Sequence, residues 1–106
     1  MKKVVDEIKK VTKTIEVEEK VGTKMVEDEN EGLIALLGED VLLLCCNYFY
    51  TGKLVGVNKT CVLLENPSLV YETGAWKTKG YSDSQKLHTD KLYVQTAAIE
   101  AFMKSK

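Results

Sequence analysis

The stretch from Gly38 to Asn66, GEDVLLLCCNYFYTGKLVGVNKTCVLLEN, constrains this chain more than any other. Three short runs rich in β-branched, aromatic and leucine residues follow one another, separated by small polar breaks. Val41 to Cys46 is unbroken and apolar, Tyr50 to Val57 carries Gly52 and Gly56, and Cys61 to Leu64 is apolar again. Runs of this length bounded by turn residues read as strands. Glycines inside such a run mark a bulge or sharp bend, the device by which a small sheet curls onto itself. The expectation is a strongly bent antiparallel sheet with the rest of the chain attached to it.

The flanking segments extend that reading. Leu33 to Leu37 is an apolar pentad stopped by Gly38, a short helical turn or lead-in that plugs the barrel. Asn47-Tyr48-Phe49 joins the first two strands. Asn58-Lys59-Thr60 joins the second and third, with an asparagine suited to φ > 0. Asn66-Pro67-Ser68 reads as a breaker, because proline cannot donate to a central ladder. Leu69 to Glu72 resumes a strand, ended by Thr73-Gly74. Residues 75–91 are polar apart from Trp76, Tyr81 and Leu87, and read as a long excursion or an extended hairpin with a mobile tip. Leu92 to Thr96 is the last clear strand, and Ala97 to Met103 either continues it past a bulge or turns into helix. The whole is a mostly β, five-stranded bent antiparallel barrel of the small SH3-like type. The first strand is apolar on both faces, so one face is expected in the barrel and the other under the N-terminal segment or a neighbouring subunit.

Residues 1–31 differ in character, with seven lysines against nine acidic residues, whereas residues 32–106 carry eight lysines against seven. Val4, Ile8, Val11 and Ile15 recur at helical spacing, which fits an amphipathic helix over 2–13. The β-branched content equally allows strand, and Thr14 to Glu18 alternates cleanly, with a turn near Val21-Gly22-Thr23 able to fold Lys24 to Val26 back as a hairpin. The organisation is a charged N-terminal extension, helix and/or hairpin, over 1–31 and a barrel over 32–106 with an insertion at 68–91. Glu27 to Gly32 reads as a solvated linker, and the extension as a face packed on the barrel edge or a partner-binding arm.

Composition narrows the function. A chain of 106 residues with 44% hydrophobic and 29% charged residues is one soluble domain. Its net charge of −1 gives no strong pull toward nucleic acid or a membrane surface. All 15 basic residues are lysine, so forked bidentate contacts to guanine or phosphate are excluded and any nucleic-acid role rests on point charges, amides and stacking. Cys45, Cys46 and Cys61 stand in apolar strand context and read as buried free thiols of a reducing compartment. There is no CxxC pair, and one histidine does not complete a zinc site with them. No secretory or membrane-length apolar run is present, so a cytoplasmic protein without a membrane partner is expected. Asp83, Ser84, His88 and Asp90 are hydrolase residue types, but they share one polar loop with no nucleophile elbow to orient them. Cys61 with His88 is a thinner case. The expectation is no enzyme, no catalytic residue, no metal and no cofactor.

The order of short helix, glycine, apolar strand, bent strand with Gly52-Lys53-Leu54, turn at Asn58, and strand closing on Val62-Leu63-Leu64 with Glu65-Asn66 resembles the Sm/LSm proteins and their bacterial relative Hfq. Val94, then Gln95-Thr96-Ala97, then Ala98-Ile99 matches the outline of the second motif on the last strand. Lys79-Gly80 is similar to the Arg-Gly of the eukaryotic second motif but lies in the insertion. The resemblance covers residues 33–102 and from Gly32 onward is most like phage-encoded members, for which the compartment is the host cytoplasm.

This resemblance implies a homo-oligomeric ring, pentamer to heptamer, binding single-stranded nucleic acid, RNA before DNA. Asn58, Lys59 and Thr60 would form one half of each pocket, and Gln95 and Thr96 the other. Three substitutions depart from the pattern: Thr60 stands in place of the stacking aromatic, and Thr96 and Ala97 in place of the basic-plus-histidine pair. Tyr48, Tyr50, Tyr71, Trp76, Tyr81 and Tyr93 are candidate stacking platforms. Lys53, Lys59, Lys77, Lys79, Lys86 and Lys91 are candidate phosphate contacts. The alternative is a structural or protein-interaction ring component of phage origin that binds no nucleic acid.

Overall fold

A computed structural model describes residues 22–25 and 30–106. The helix expected over 2–13 and the strand or hairpin after it lie outside the described residues. From Asp40 onward the chain forms a mostly β antiparallel sheet of six strands, β1 Asp40–Cys45, β2 Phe49–Val57, β3 Cys61–Glu72, β4 Asp83–Lys86, β5 Lys91–Gln95 and β6 Ile99–Lys104. Along the sheet the order is β4-β3-β2-β1-β6, with β5 also on β3.

The apolar runs become strands because their alternate residues meet in one core. Val41, Leu43 and Cys45 of β1, Leu54 of β2, Val62 and Leu64 of β3 and Val94 of β5 form it. Val41, Leu43, Leu54, Val62 and Leu64 are wholly excluded from solvent, and each such side chain contributes about 1.5–3 kcal/mol relative to its exposed state. A 3-10 turn at Leu33–Leu36 precedes β1. Leu33 and Leu36 pack against the core, as the plug reading expected. Leu42, between two core residues of β1, is equally buried on the opposite face, where Leu44 is half-buried.

Three expectations need correction. The first concerns Asn66-Pro67-Ser68, which does not break the chain: β3 runs through it for 12 residues. Toward β5, β3 pairs only as far as Glu65, opposite Lys91; toward β4 it pairs only from Ser68, opposite Lys86. Pro67 falls in the gap, where no ladder N–H is required of it. Its carbonyl accepts from the Leu87 amide (3.0 Å), and the Asn66 amide donates to the Asp90 carbonyl (2.9 Å).

Second, the strands number six rather than five. Leu69–Glu72 is the far half of β3, paired with the new strand β4, so the excursion is the extended hairpin. The last strand divides at a 3-10 turn, Thr96–Ala98, into β5 and β6.

Third, the sheet is open. β5 pairs with β3 and β6 with β1, and among the described residues no ladder joins β5 to β6. The short turn carries the chain from the β3 edge, at Gln95 opposite Cys61, to the β1 edge, at Ile99 opposite Cys45, so the two strands follow one another instead of lying side by side.

The glycines do mark irregularities. Register between β2 and β3 shifts between Thr51 and Lys53 and again between Leu54 and Gly56. At the first shift Asn66 and Pro67 together oppose Gly52. A Cβ on Gly52 would lie 3.1 Å from the Glu65 carbonyl oxygen and 3.3 Å from Leu64 Cβ and Pro67 Cα. These are atoms of a paired strand and cannot swing aside. Gly52→Ala is therefore expected to lower stability by about 1–3 kcal/mol, read as a lower urea midpoint. A midpoint at or above the parent value contradicts the tight approach.

Candidate nucleic-acid interface

The loop between β2 and β3 is organised by one side chain. Asn58 Oδ1 accepts from the Thr60 amide (2.8 Å), the Cys61 amide (2.9 Å) and the Thr60 hydroxyl (3.2 Å). The Asn58 amide in turn donates to the Cys61 carbonyl (3.0 Å). This is an Asx-type turn. Asn58 does not take the positive φ expected of it; among the described non-glycine residues Asn66 does, at 58°. A side-chain acceptor closes the turn at Asn58 and makes a left-handed backbone unnecessary. Asn58 thus holds the loop, and Lys59 and Thr60 are what it displays.

The 3-10 turn after β5 docks directly onto that loop. The Thr96 amide donates to the Thr60 carbonyl (2.9 Å) and the Thr96 hydroxyl to the Lys59 carbonyl (2.9 Å). Two segments some 37 residues apart become one rim. A shallow surface opens there, lined by Lys59, Thr60 and Cys61 on one side and by Tyr93, Gln95, Thr96 and Ala97 on the other. The structure thus brings together Lys59, Thr60, Gln95 and Thr96, while Asn58 stands behind them. Among the described residues no acidic side chain lines the surface, and Lys59 is its one formal charge.

Tyr93 joins this surface although the motif outline does not include it. It lies two residues before Gln95, and alternation along β5 puts both on the face away from buried Val94. That period of two is the signal that finds it. Tyr93 is 66% exposed, and Tyr93 and Gln95 also line a second cleft with Cys46, Tyr48 and Tyr50 beside the open edge of β5.

The other candidates are dispersed. Tyr50 packs against the core, with Tyr48 tilted against it at 6.3 Å between ring centroids. Tyr71 donates to Gln85 Oε1 across β3 and β4 (3.1 Å), and Trp76 and Tyr81 lie on the hairpin. Lys77 and Lys79 are exposed on that hairpin as well, away from the rim. Asp83 and Ser84 sit on β4, His88 and Asp90 are exposed in the following turn, and Asp90 faces Lys86 at 4.0 Å. Of the described residues, none belongs to a group of three or more His, Cys, Asp or Glu able to hold a metal, and no helix is long and apolar enough to cross a membrane.

The cysteines divide by position: Cys45 is buried, Cys61 half-buried and Cys46 exposed at the end of β1, so the expectation of three buried thiols holds for Cys45 alone. Burial pushes the Cys45 thiol up, with the Glu100 carboxylate adding to the effect. Burial likewise raises the Tyr50 phenol. The fold defines a mostly β domain with an antiparallel sheet. Comparison with protein-family models, curated proteins and solved structures finds no match to this chain.

Two outcomes are expected. Asn58→Ala removes an acceptor used three times, so it is expected to cost about 1 kcal/mol or more and to speed amide exchange at Thr60 and Cys61, with Asn58→Asp sparing both; unchanged exchange in the alanine variant contradicts the turn. The second concerns pH. Both raised groups favour their neutral forms in the folded state, so their stabilisation is complete below the unfolded values and is lost as pH rises through the folded ones. Denaturant midpoints should fall on the alkaline side, and iodoacetamide should modify Cys46 before Cys45. Mass spectrometry finding Cys45 modified first contradicts its burial.

Proposed function

We propose that this chain is the subunit of a homo-oligomeric Sm-like ring, pentamer to heptamer, that binds single-stranded RNA at the rim formed by Lys59, Thr60, Gln95 and Thr96. The observation that carries the reading is the pair of hydrogen bonds from Thr96 to the carbonyls of Lys59 and Thr60, which makes two loops one exposed surface. Lys59 supplies the phosphate contact, the Gln95 amide supplies donors and an acceptor for base edges, the Thr60 and Thr96 hydroxyl oxygens, whose protons are already donated within the rim, supply acceptors, and Tyr93 supplies a platform. Stacking of one base on such a ring is worth about 1–3 kcal/mol. Repetition around a ring multiplies a single lysine into a circle of positive charge, which offsets the absence of arginine.

The open sheet supports assembly. Among the described residues β5 and β6 each present an unpaired edge, of five and six residues. An unpaired edge recruits another strand. Antiparallel pairing of β5 in one copy with β6 in the next is head-to-tail, and such an interface closes when the rotation permits. It would also complete the barrel between neighbours that one chain leaves open.

The tests separate the two parts of the reading. Light scattering at micromolar concentration should give a multiple of the subunit mass, and a monomer overturns the ring. Fluorescence anisotropy with labelled oligo-U and oligo-A should give affinity that weakens with salt, and Lys59→Ala should weaken it further and flatten the salt slope. A ring that binds neither oligomer at about 10 μM, a concentration within the range of ordinary non-specific contacts, overturns the RNA site and leaves the alternative, a structural or protein-interaction ring.

A further inference from the structure

Away from the rim, the turn between β3 and β4 is fastened to the end of β6 through a single ammonium group. Lys106 Nζ donates to the carbonyls of Thr73 (2.6 Å) and Ala75 (2.7 Å). The same nitrogen stands 5.2 Å from the centroid of the Tyr81 ring and 5.7 Å from that of Trp76, both within cation–π range. The two carbonyls converge because Gly74 between them takes φ +74°, and a Cβ there would collide with the Ser82 hydroxyl. Hydroxyls from the hairpin, from β2 and from Ser105 meet beside the site. Tyr81 Oη is hydrogen-bonded to Ser105 Oγ (2.6 Å) and accepts from the Lys106 amide (3.4 Å), while Ser105 Oγ also meets Thr51 Oγ1 on β2 (3.2 Å).

We propose that Trp76, Tyr81 and the carbonyls of Thr73 and Ala75 form a cage for a primary ammonium group, filled in cis by Lys106, and that this clasp holds the β3–β4 hairpin against the sheet. The chemistry selects the ligand. Two aromatic faces attract any cation, but carbonyl oxygens at hydrogen-bond distance require N–H donors. A primary ammonium has three donors and satisfies both carbonyls while facing the rings. A quaternary ammonium has none, and would bring methyl groups against the carbonyls. Among the described residues β4 pairs only with β3, and β3 last pairs with β2 at Val70, so beyond that point no ladder holds the hairpin's turn to the body of the sheet. The clasp connects its turn to β6, the strand whose outer edge is unpaired, and so ties the hairpin to one of the two assembly edges.

Amide exchange and the emission of Trp76, the single tryptophan, test this on the full chain. Lys106→Met keeps the reach of the side chain and removes the charge and donors. It should accelerate exchange at Thr78, whose amide donates to the Ala75 carbonyl, and across β4 by about fivefold, and shift the Trp76 emission, with exchange at the core residues Leu43 and Leu54 unchanged. Trp76→Ala should accelerate the same hairpin amides, and adding Lys106→Met to it should give less than the product of the two separate effects, since both remove one contact. A semisynthetic chain with trimethyllysine at position 106 keeps the charge but lacks the donors, and should exchange as Lys106→Met does. Parent-like exchange in Lys106→Met, or independent multiplying effects in the double variant, overturns the clasp. Parent-like protection in the trimethyllysine chain overturns the assignment of the cage to primary ammonium.

Discussion

The fold depends on one strand serving three partners. β3 pairs along its length with β2, while its other side is shared by β5 over residues 61–65 and by β4 over residues 68–72. Between those halves the ladder must lapse, and the residues at the lapse suit it. Pro67 has no N–H to lose, Asn66 accepts the positive φ, and Gly52 on β2 leaves room for the two residues that oppose it. A bulkier residue at 52 or a ladder-demanding one at 67 would set the packing of β2 against the double pairing of β3. The change of partner at this point also separates the core residues Val62 and Leu64, on the β5 side, from the hairpin that extends on the β4 side.

The same economy of contacts governs the rim. Asn58 closes its own loop, and Thr96 ties the following turn to the outcome, so Lys59, Thr60, Gln95 and Thr96 are positioned by backbone carbonyls and one amide side chain. Beyond the hydroxyls of Thr60 and Thr96, none of these contacts requires the side chains on display to be of a particular kind. Substituting Lys59 changes the surface and leaves the loop its internal bonds, whereas substituting Asn58 changes the loop first.

Much of this was legible beforehand, for reasons that differ from element to element. β1, β2 and the first half of β3 follow from apolar runs whose alternate members share one core. The shifts at Gly52 and Gly56 follow from glycine inside a strand. Tyr93 was legible as an exposed aromatic but not as a member of the rim, because the period of two that places it beside Gln95 matters only once β5 is known to end there. Pro67 misled for a local reason: the rule against proline in a ladder is correct, but it does not exclude proline where a strand exchanges partners. The positive φ moved from Asn58 to Asn66 for a similar reason, since both amides suit either role and their surroundings choose. Lys106 gave no sign at all, because its partners are carbonyls and rings some 30 residues away.

By itself, then, the sequence determined that this chain makes a mostly β antiparallel sheet with a buried apolar centre, since periodicity and glycine placement act over a few residues and need no distant partner. Tertiary structure alone decided that β3 carries two outer partners, that the sheet stays open between β5 and β6, and that Thr96 and Lys106 each fasten segments far apart in the chain. Those are contacts between backbone carbonyls and donors brought together only by folding. A carbonyl is present at every residue and leaves no mark in the sequence to say which one will be used.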